Sequence, residues 1–448
     1  MTRHKHLKQL VRARMEKTGE RYATARRHVI RDTPAQFNGQ PARAIGAHLT
    51  GNVPATTALR ALLTAAGVRA PHTNQPFTEA MLFGIAGGIG IGVFSFLYEK
   101  QDFASFYVAG RHDWANDVRY LTHGAERVGA GASVVEMGGV KPAAQALAKA
   151  LAGGQPCIAW LDAATLPYKA MPAFYVGMAN HMVVVYDIDE GAGVAHVGDL
   201  SDEPIPVRLE VLAAARGRIK KDKNRLLSVT AGVKTPSLDA MVHGGLRVCR
   251  DGLLGATAVG NARTNFSLEA LRVWGNRLHG SRDKERWERI FTPGKRLWRG
   301  LTSINEYIEH YGTGGGLSRP LFAEFLGEAG EALGSEPLRA LGERYAELGR
   351  QWTELADAAL PDDVPAMREA KELIARRSEL LHSDVPASAD DVRAAWQRLD
   401  ELAAAAGARF PLSEGAAVEL RADLKRRVLA LHAVEVAAHE ELTAIVGG

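Results

Sequence analysis

Cysteine is nearly absent: Cys157 and Cys249 are the only two in 448 residues. Two thiols cannot build a disulfide framework, so a reducing, cytoplasmic setting is the expectation. No Cys-x-x-Cys and no His-Glu-x-x-His spacing occurs, which leaves no sequence argument for a zinc site. Long apolar runs are missing too. Stretches such as VVVY and IAGGIGIGVF are too short and too glycine-rich to span a bilayer. The N-terminus is basic but carries no apolar core of a secretory signal. What remains is a chain of soluble, globular composition, long enough for two to three domains and a sizeable core.

The charge is unevenly placed. Residues 1–31 hold ten Lys/Arg against Glu16 and Glu20, a net of +8, whereas the whole chain is +4. The remainder is therefore acidic by four charges. Within this segment LKQLVRARMEKTG and ERYATARRHVI carry apolar residues at helical spacing, which predicts a helical hairpin with one apolar face. Two roles fit such an arm: docking with a solvated basic face, or binding an anionic partner. It lacks aromatic interleaving and any nucleic-acid reader motif, which argues against nucleic acid.

Three parts are expected: a basic helical arm over 1–36, an α/β domain over 37–240 and an all-helical bundle over 241–448. The middle part alternates helix candidates (55–67, 78–92, 114–128, 140–153) with short apolar strands: ASFYVAG, SVVEMGG, PCIAWLD, HMVVVYDID and GVAHVGD. The last two flank a hairpin turn. The third part carries apolar residues three and four apart almost throughout, interrupted at Pro361, Asp362, Asp363 and Pro386, with no fixed repeat length.

HLTGNVPATTALRALL opens the first of those α/β helices. Asn52 is placed to cap it, Pro54 fits its first turn, and Ala58, Leu59, Leu62 and Leu63 give it an apolar face. A buried helix start stabilises negative charge, yet this one offers only Thr56 and Thr57 as hydroxyls. FGIAGGIGIG does not fit the dinucleotide-binding register and reads as close packing of a helix on a sheet. YGTGGGLSRPLFAEF lacks the Gly-Lys-Ser/Thr of a phosphate loop. Ser318 as a cap and Pro320 in the first turn explain most of it, with Arg319 as an anion-holding alternative.

NHMVVVYDID is more informative. A His at the head of an apolar strand, followed by a second strand ending in Gly198-Asp199, matches a base with an orienting carboxylate. A hydrogen-bonded core histidine is the other reading of His181. Cys157, inside PCIAW, reads as a small buried apolar residue.

PFTEAMLFGIAGGIGIG, GGQPCIAWLDAATLPY, NHMVVVYDID, VGDLS and GTGGGLSRPLFAEFLGEAGEAL together resemble the family of butirosin biosynthesis protein H. The resemblance covers nearly everything after residue 40. It implies an α+β chain: a papain-like α/β domain followed by an all-helical domain. It also implies an amide-forming acyltransferase that takes an acyl group from the phosphopantetheine arm of an acyl carrier protein, through a protein cysteine, to an amine. The family's histidine carries over to His181, its acid to Asp199 and its Ser/Thr-Glu pair to Thr78-Glu79. The reactive members place His-Cys just before the helix that begins ATTALRALL; here that place reads Val53-Pro54.

The resulting expectation is direct acyl transfer in specialised metabolism, without a cysteine nucleophile. His181 would act as base, Asp199 would orient it, and Thr56 with the helix-start amides and Glu79 would complete the catalytic set. Asn52, Thr57, Trp160, Asp162, Tyr168, Asn180 and Arg319 are the expected substrate-binding residues. No cofactor is bound by the chain itself; phosphopantetheine on a carrier protein is the expected acyl donor. The expected partners are a small molecule, an acyl carrier protein and a second copy in a homodimer, with no membrane. A non-enzymatic module binding a small molecule or a carrier-linked intermediate is the alternative, and a Thr56 or Thr57 hydrolase is a third.

Overall fold

The computed structural model describes residues 3–19, 25, 50–111, 116–256, 264–383 and 388–447. The chain is α+β, with its main sheet in the N-terminal half and helices throughout the C-terminal half. Two compact units share it, each discontinuous in sequence. One comprises Met1–Leu82, Leu121–Met241 and Arg377–Trp396; the other comprises Phe83–Tyr120, Val242–Arg376 and Gln397–Gly448.

The chain opens with α1 (Arg3–Thr18). Val11 is fully buried with Ala25, Met15 packs beside them, and Arg12 pairs with Glu379 at 3.0 Å. The arm thus spends an apolar position and a guanidinium on its own unit. The rest of the second expected arm helix lies outside the described residues. Pro54 starts α2 (Pro54–Ala65), whose Ala58, Leu59, Leu62 and Leu63 are all buried, as their spacing predicts.

α3 (Glu79–Ile85) is shorter than the helix expected over 78–92. Gly87 turns left-handed at φ +81, and the run IGIGVFSFLY becomes the strand β1 (Ile89–Tyr98), paired with β2 (Phe103–Arg111) in a two-stranded sheet of its own. The correction has a physical reason. Glycine is a poor helix residue, and alternation of large side chains from Val93 to Tyr98 has strand period.

After α4 (Asp117–Arg127) come β3 (Gly131–Val135), α5 (Val140–Leu151), β4 (Cys157–Asp162), β5 (Asn180–Asp189), β6 (Val194–Gly198), β7 (Ile205–Arg208), α6 (Leu209–Arg218) and β8 (Leu226–Thr230). Six of these strands form one antiparallel sheet in the order β3-β8-β4-β5-β6-β7. Ala159, Leu161, Val183, Val185 and Val197 line its core with Leu212 and Ala215 of α6. β5 is paired on both edges, and its interior is continuously apolar because both faces are covered: Val183 and Val185 face the core with α6, and Met182 and Val184 face α2.

The helical half runs through α7 (Leu238–Leu253), α8 (Glu269–Leu278), α9 (Lys295–Glu309), α10 (Arg319–Leu333), α11 (Glu336–Ala359), α12 (Pro365–Ser383), α13 (Ala389–Ala408) and α14 (Glu414–Val446). Before α10, Gly314, Gly315, Gly316, Leu317 and Ser318 all have positive φ. Gly316 is needed there, because a Cβ would lie 2.7 Å from the carbonyl of Gly349. Ser318 holds the cap position but makes no capping hydrogen bond, contrary to expectation. Capping requires extended backbone, and Ser318 is left-handed at φ +65. Among the described residues no helix is long and apolar enough to cross a membrane.

Candidate functional site

An antiparallel hairpin brings the start of β5 beside the end of β6, and so places His181 next to Asp199. The His181 Nε2 lies 2.7 Å from Asp199 Oδ1. The carboxylate is fully buried and has two further partners: Tyr168 donates its hydroxyl to Oδ2 at 2.7 Å, and Lys169 Nζ lies 2.8 Å from the same oxygen. Burial alone would raise the Asp199 carboxyl. His181 and Lys169, through charge and hydrogen bonds, outweigh that and hold it far below the usual carboxylate range. An ionised carboxylate only accepts, so the neutral imidazole carries its proton on Nε2 and leaves the Nδ1 lone pair for other chemistry. Burial and then Asp199 push the Tyr168 hydroxyl well up, so it stays a donor.

Beyond Asp199 the backbone turns left-handed at Leu200, φ +57, a costly conformation for a branched side chain. Asp199 and Leu200 line a cavity of about 10 Å³ with Pro54, Thr57 and Ala58 of α2 and with Met182, Val184, Tyr186 and Gly198. The volume is that of about one water. The start of α2 and the acid of the His–Asp pair therefore share one small space.

The start of α2 is closed by Glu79. Its carboxylate accepts from the amides of Asn52 (2.8 Å) and Val53 (2.8 Å), from Asn52 Nδ2 (3.3 Å) and from Thr57 Oγ1 (2.9 Å). Contrary to the expectation from the sequence, Asn52 does not cap the helix with its side chain. Val53 is the cap residue, and the capping anion comes from α3. Gly51 makes the close approach possible, because a Cβ there would meet Thr57 Oγ1 at 1.9 Å and Glu79 Oε1 at 2.8 Å. Glu79 is not among the residues lining the cavity. Thr78 caps α3 itself, accepting from the Met81 amide at 2.9 Å.

The remaining expected residues fall into separate roles. Thr56 is wholly buried. Trp160 is buried in β4 under the Arg225 guanidinium, 5.3 Å from its ring centroid. Asp162 accepts from the amides of Ala164 and Gly177, fixing the loop that follows β4. Asn180 is exposed at the head of β5. Arg319 lies in the helical unit, fully buried, with Nε 2.6 Å from Glu435 Oε1, the same oxygen that accepts from Trp352 Nε1. Cys157 is fully buried, and burial pushes its thiol up to about 12, which leaves no thiolate at neutral pH. Lys169 was not foreseen; only its place beside Tyr168 hinted at it. Among the described residues no group of three His, Cys, Asp or Glu is placed to hold a metal ion.

Two outcomes follow from the carboxylates. Glu79→Gln sets an amide NH₂ among four donors, and should cost roughly 1–3 kcal/mol in urea unfolding; wild-type stability would show that the carboxylate does not hold the helix start. The Asp199 carboxyl titrates near 4 when unfolded and far lower when folded. The stability it lends is therefore fully present above about pH 4 and lost as pH falls below that. Asp199→Asn should flatten the acid limb of stability against pH, and an unchanged limb would contradict the assignment.

Residues 54–200 match the family model for butirosin biosynthesis protein H, N-terminal, and residues 209–383 match a domain of unknown function (DUF4872). No curated protein matches the chain. The first match begins at Pro54, the first residue of α2, and ends just past Asp199, so it spans the whole His–Asp arrangement. With these two domains in this order, the chain has a butirosin biosynthesis protein H-like domain arrangement.

Proposed function

We propose that this protein is an amide-forming acyltransferase of specialised metabolism that works without a cysteine nucleophile. The family suggests an acyltransferase-like biosynthetic role. The observation that carries the finer reading is the His181–Asp199 contact of 2.7 Å, which leaves Nδ1 as the free base. An amine acceptor attacks the carbonyl of an acyl thioester, forming the C–N bond, while His181 Nδ1 takes the amine proton. The C–S bond breaks, and the proton passes to the departing thiolate. Asp199 fixes the ring and stabilises the imidazolium. Thioesters are already activated, so positioning supplies much of the rate. The donor in this reading is phosphopantetheine on an acyl carrier protein.

A second reading rests on a specific observation. Glu79 occupies the amides of Asn52 and Val53, donors that an oxyanion would otherwise use. That arrangement favours a binding protein that holds a small molecule or a carrier-linked intermediate without turning it over.

Acyl-pantetheine thioesters offered with a panel of amines separate the readings. Transfer should appear with the wild type, fall by roughly 10²-fold or more in His181→Gln, and persist within a few-fold in Cys157→Ala. Equal rates in wild type and His181→Gln would remove the base assignment. Tight thioester binding, measured by calorimetry, with no amide formed would select the binding protein.

A further inference from the structure

Asp199 is shared between an imidazole and an ammonium. His181 Nε2 takes Oδ1, and Lys169 Nζ takes Oδ2 together with the Tyr168 hydroxyl. Lys169 is nearly buried, with its side chain 13% exposed, so the pair is poorly screened by solvent. Its position is set by a closed loop. The Ala163 amide donates to the Ala179 carbonyl at 2.8 Å, and Asp162 ties both limbs through Ala164 and Gly177. Immediately after Lys169 the chain turns left-handed at Ala170, φ +46. The loop therefore delivers two consecutive side chains to one oxygen.

A lone buried carboxylate beside a histidine favours the imidazolium, and an imidazolium cannot accept a proton. A second cation on the same carboxylate opposes that. We propose that Lys169 is a positioning residue that balances the charge of Asp199 and keeps His181 available as a neutral base. The inference rests on the reading of His181 as the base.

Charged groups on β4, β5, β6 and α2 have partners of their own, and Asp202 stands in the loop that follows β6. Asp162 on β4 is engaged by two amides, Asp187 on β5 is 2.6 Å from His196 on β6, and Glu79 is taken up by the start of α2. The one charged residue of α2, Arg60, donates to the Phe77 carbonyl at 2.6 Å. Lys169 is ion-paired to an ionised carboxylate, so it serves as a charge and not as a nucleophilic amine.

The test is an NMR pH titration of the His181 ring in the full chain without substrate. Lys169→Met removes the charge, Lys169→Arg keeps it, and Tyr168→Phe removes a neutral donor from the same oxygen. The His181 midpoint should move up by about one to two pH units in Lys169→Met, and by much less in the other two variants. Lys169→Gln carries the same expectation and serves if the Met variant does not fold. An unchanged midpoint in a folded neutral variant would overturn the proposal, leaving Lys169 a structural tie that moves only melting temperature. The titration needs no turnover. A negative transfer assay with the expected shift rejects the acyltransferase alone, and activity without a shift rejects the role of Lys169 alone.

Discussion

The site depends on the cost of burying the Asp199 carboxylate. An ionised carboxyl with no exposed surface would be expelled or protonated unless its oxygens were saturated by donors. Here three side chains meet it: His181 from the head of β5, and Tyr168 and Lys169 from the loop between β4 and β5. The hairpin that joins β5 to β6, the closure of the loop by Asp162 and the left-handed turns at Ala170 and Leu200 all serve to bring these groups together. The ring is oriented as a consequence.

A second buried carboxylate, Glu79, solves a different problem in the same unit. The start of α2 leaves backbone donors unpaired, and its cap residue, Val53, has no side-chain acceptor. Glu79 reaches in from α3 and accepts from the amides of Asn52 and Val53 and from the Thr57 hydroxyl. The start of α2 thus presents Val53 followed by Pro54, with no nucleophilic side chain at either place, above a filled anion site. Chemistry here would rely on the His–Asp pair and on positioning, because Cys157, buried in β4, cannot supply a thiolate.

The parts of this site that were legible in the sequence are those set by strand geometry. A His opening one apolar strand and an Asp closing the next must be neighbours when the two form a hairpin, and His181 and Asp199 are. α2 was legible from Pro54 and its apolar spacing, as were the helices of the C-terminal half. What could not be read depends on contacts across the fold. The reach of Glu79 to Asn52 spans 27 residues and leaves no local pattern. Lys169 approaches Asp199 only because the loop closes on itself. The start of β1, up to Gly92, reads as the end of a helix because its apolar, glycine-rich run resembles both kinds of element before the alternation from Val93 to Tyr98 resolves them. Arg319, at a helix start that suggests an anion site, is instead paired through Nε with Glu435, 116 residues away.

Asp199 is ionised and accepts from His181 Nε2, which leaves the Nδ1 lone pair open. Long-range proton–nitrogen correlation spectra of ¹⁵N-histidine-labelled protein, assigned by comparison with His181→Gln, test this directly. At a pH where the ring is neutral, His181 should show a pyrrole-type Nε2 and a pyridine-type Nδ1. The reverse pattern, with the proton on Nδ1, would mean that the carboxylate does not hold the ring as described and would contradict the account.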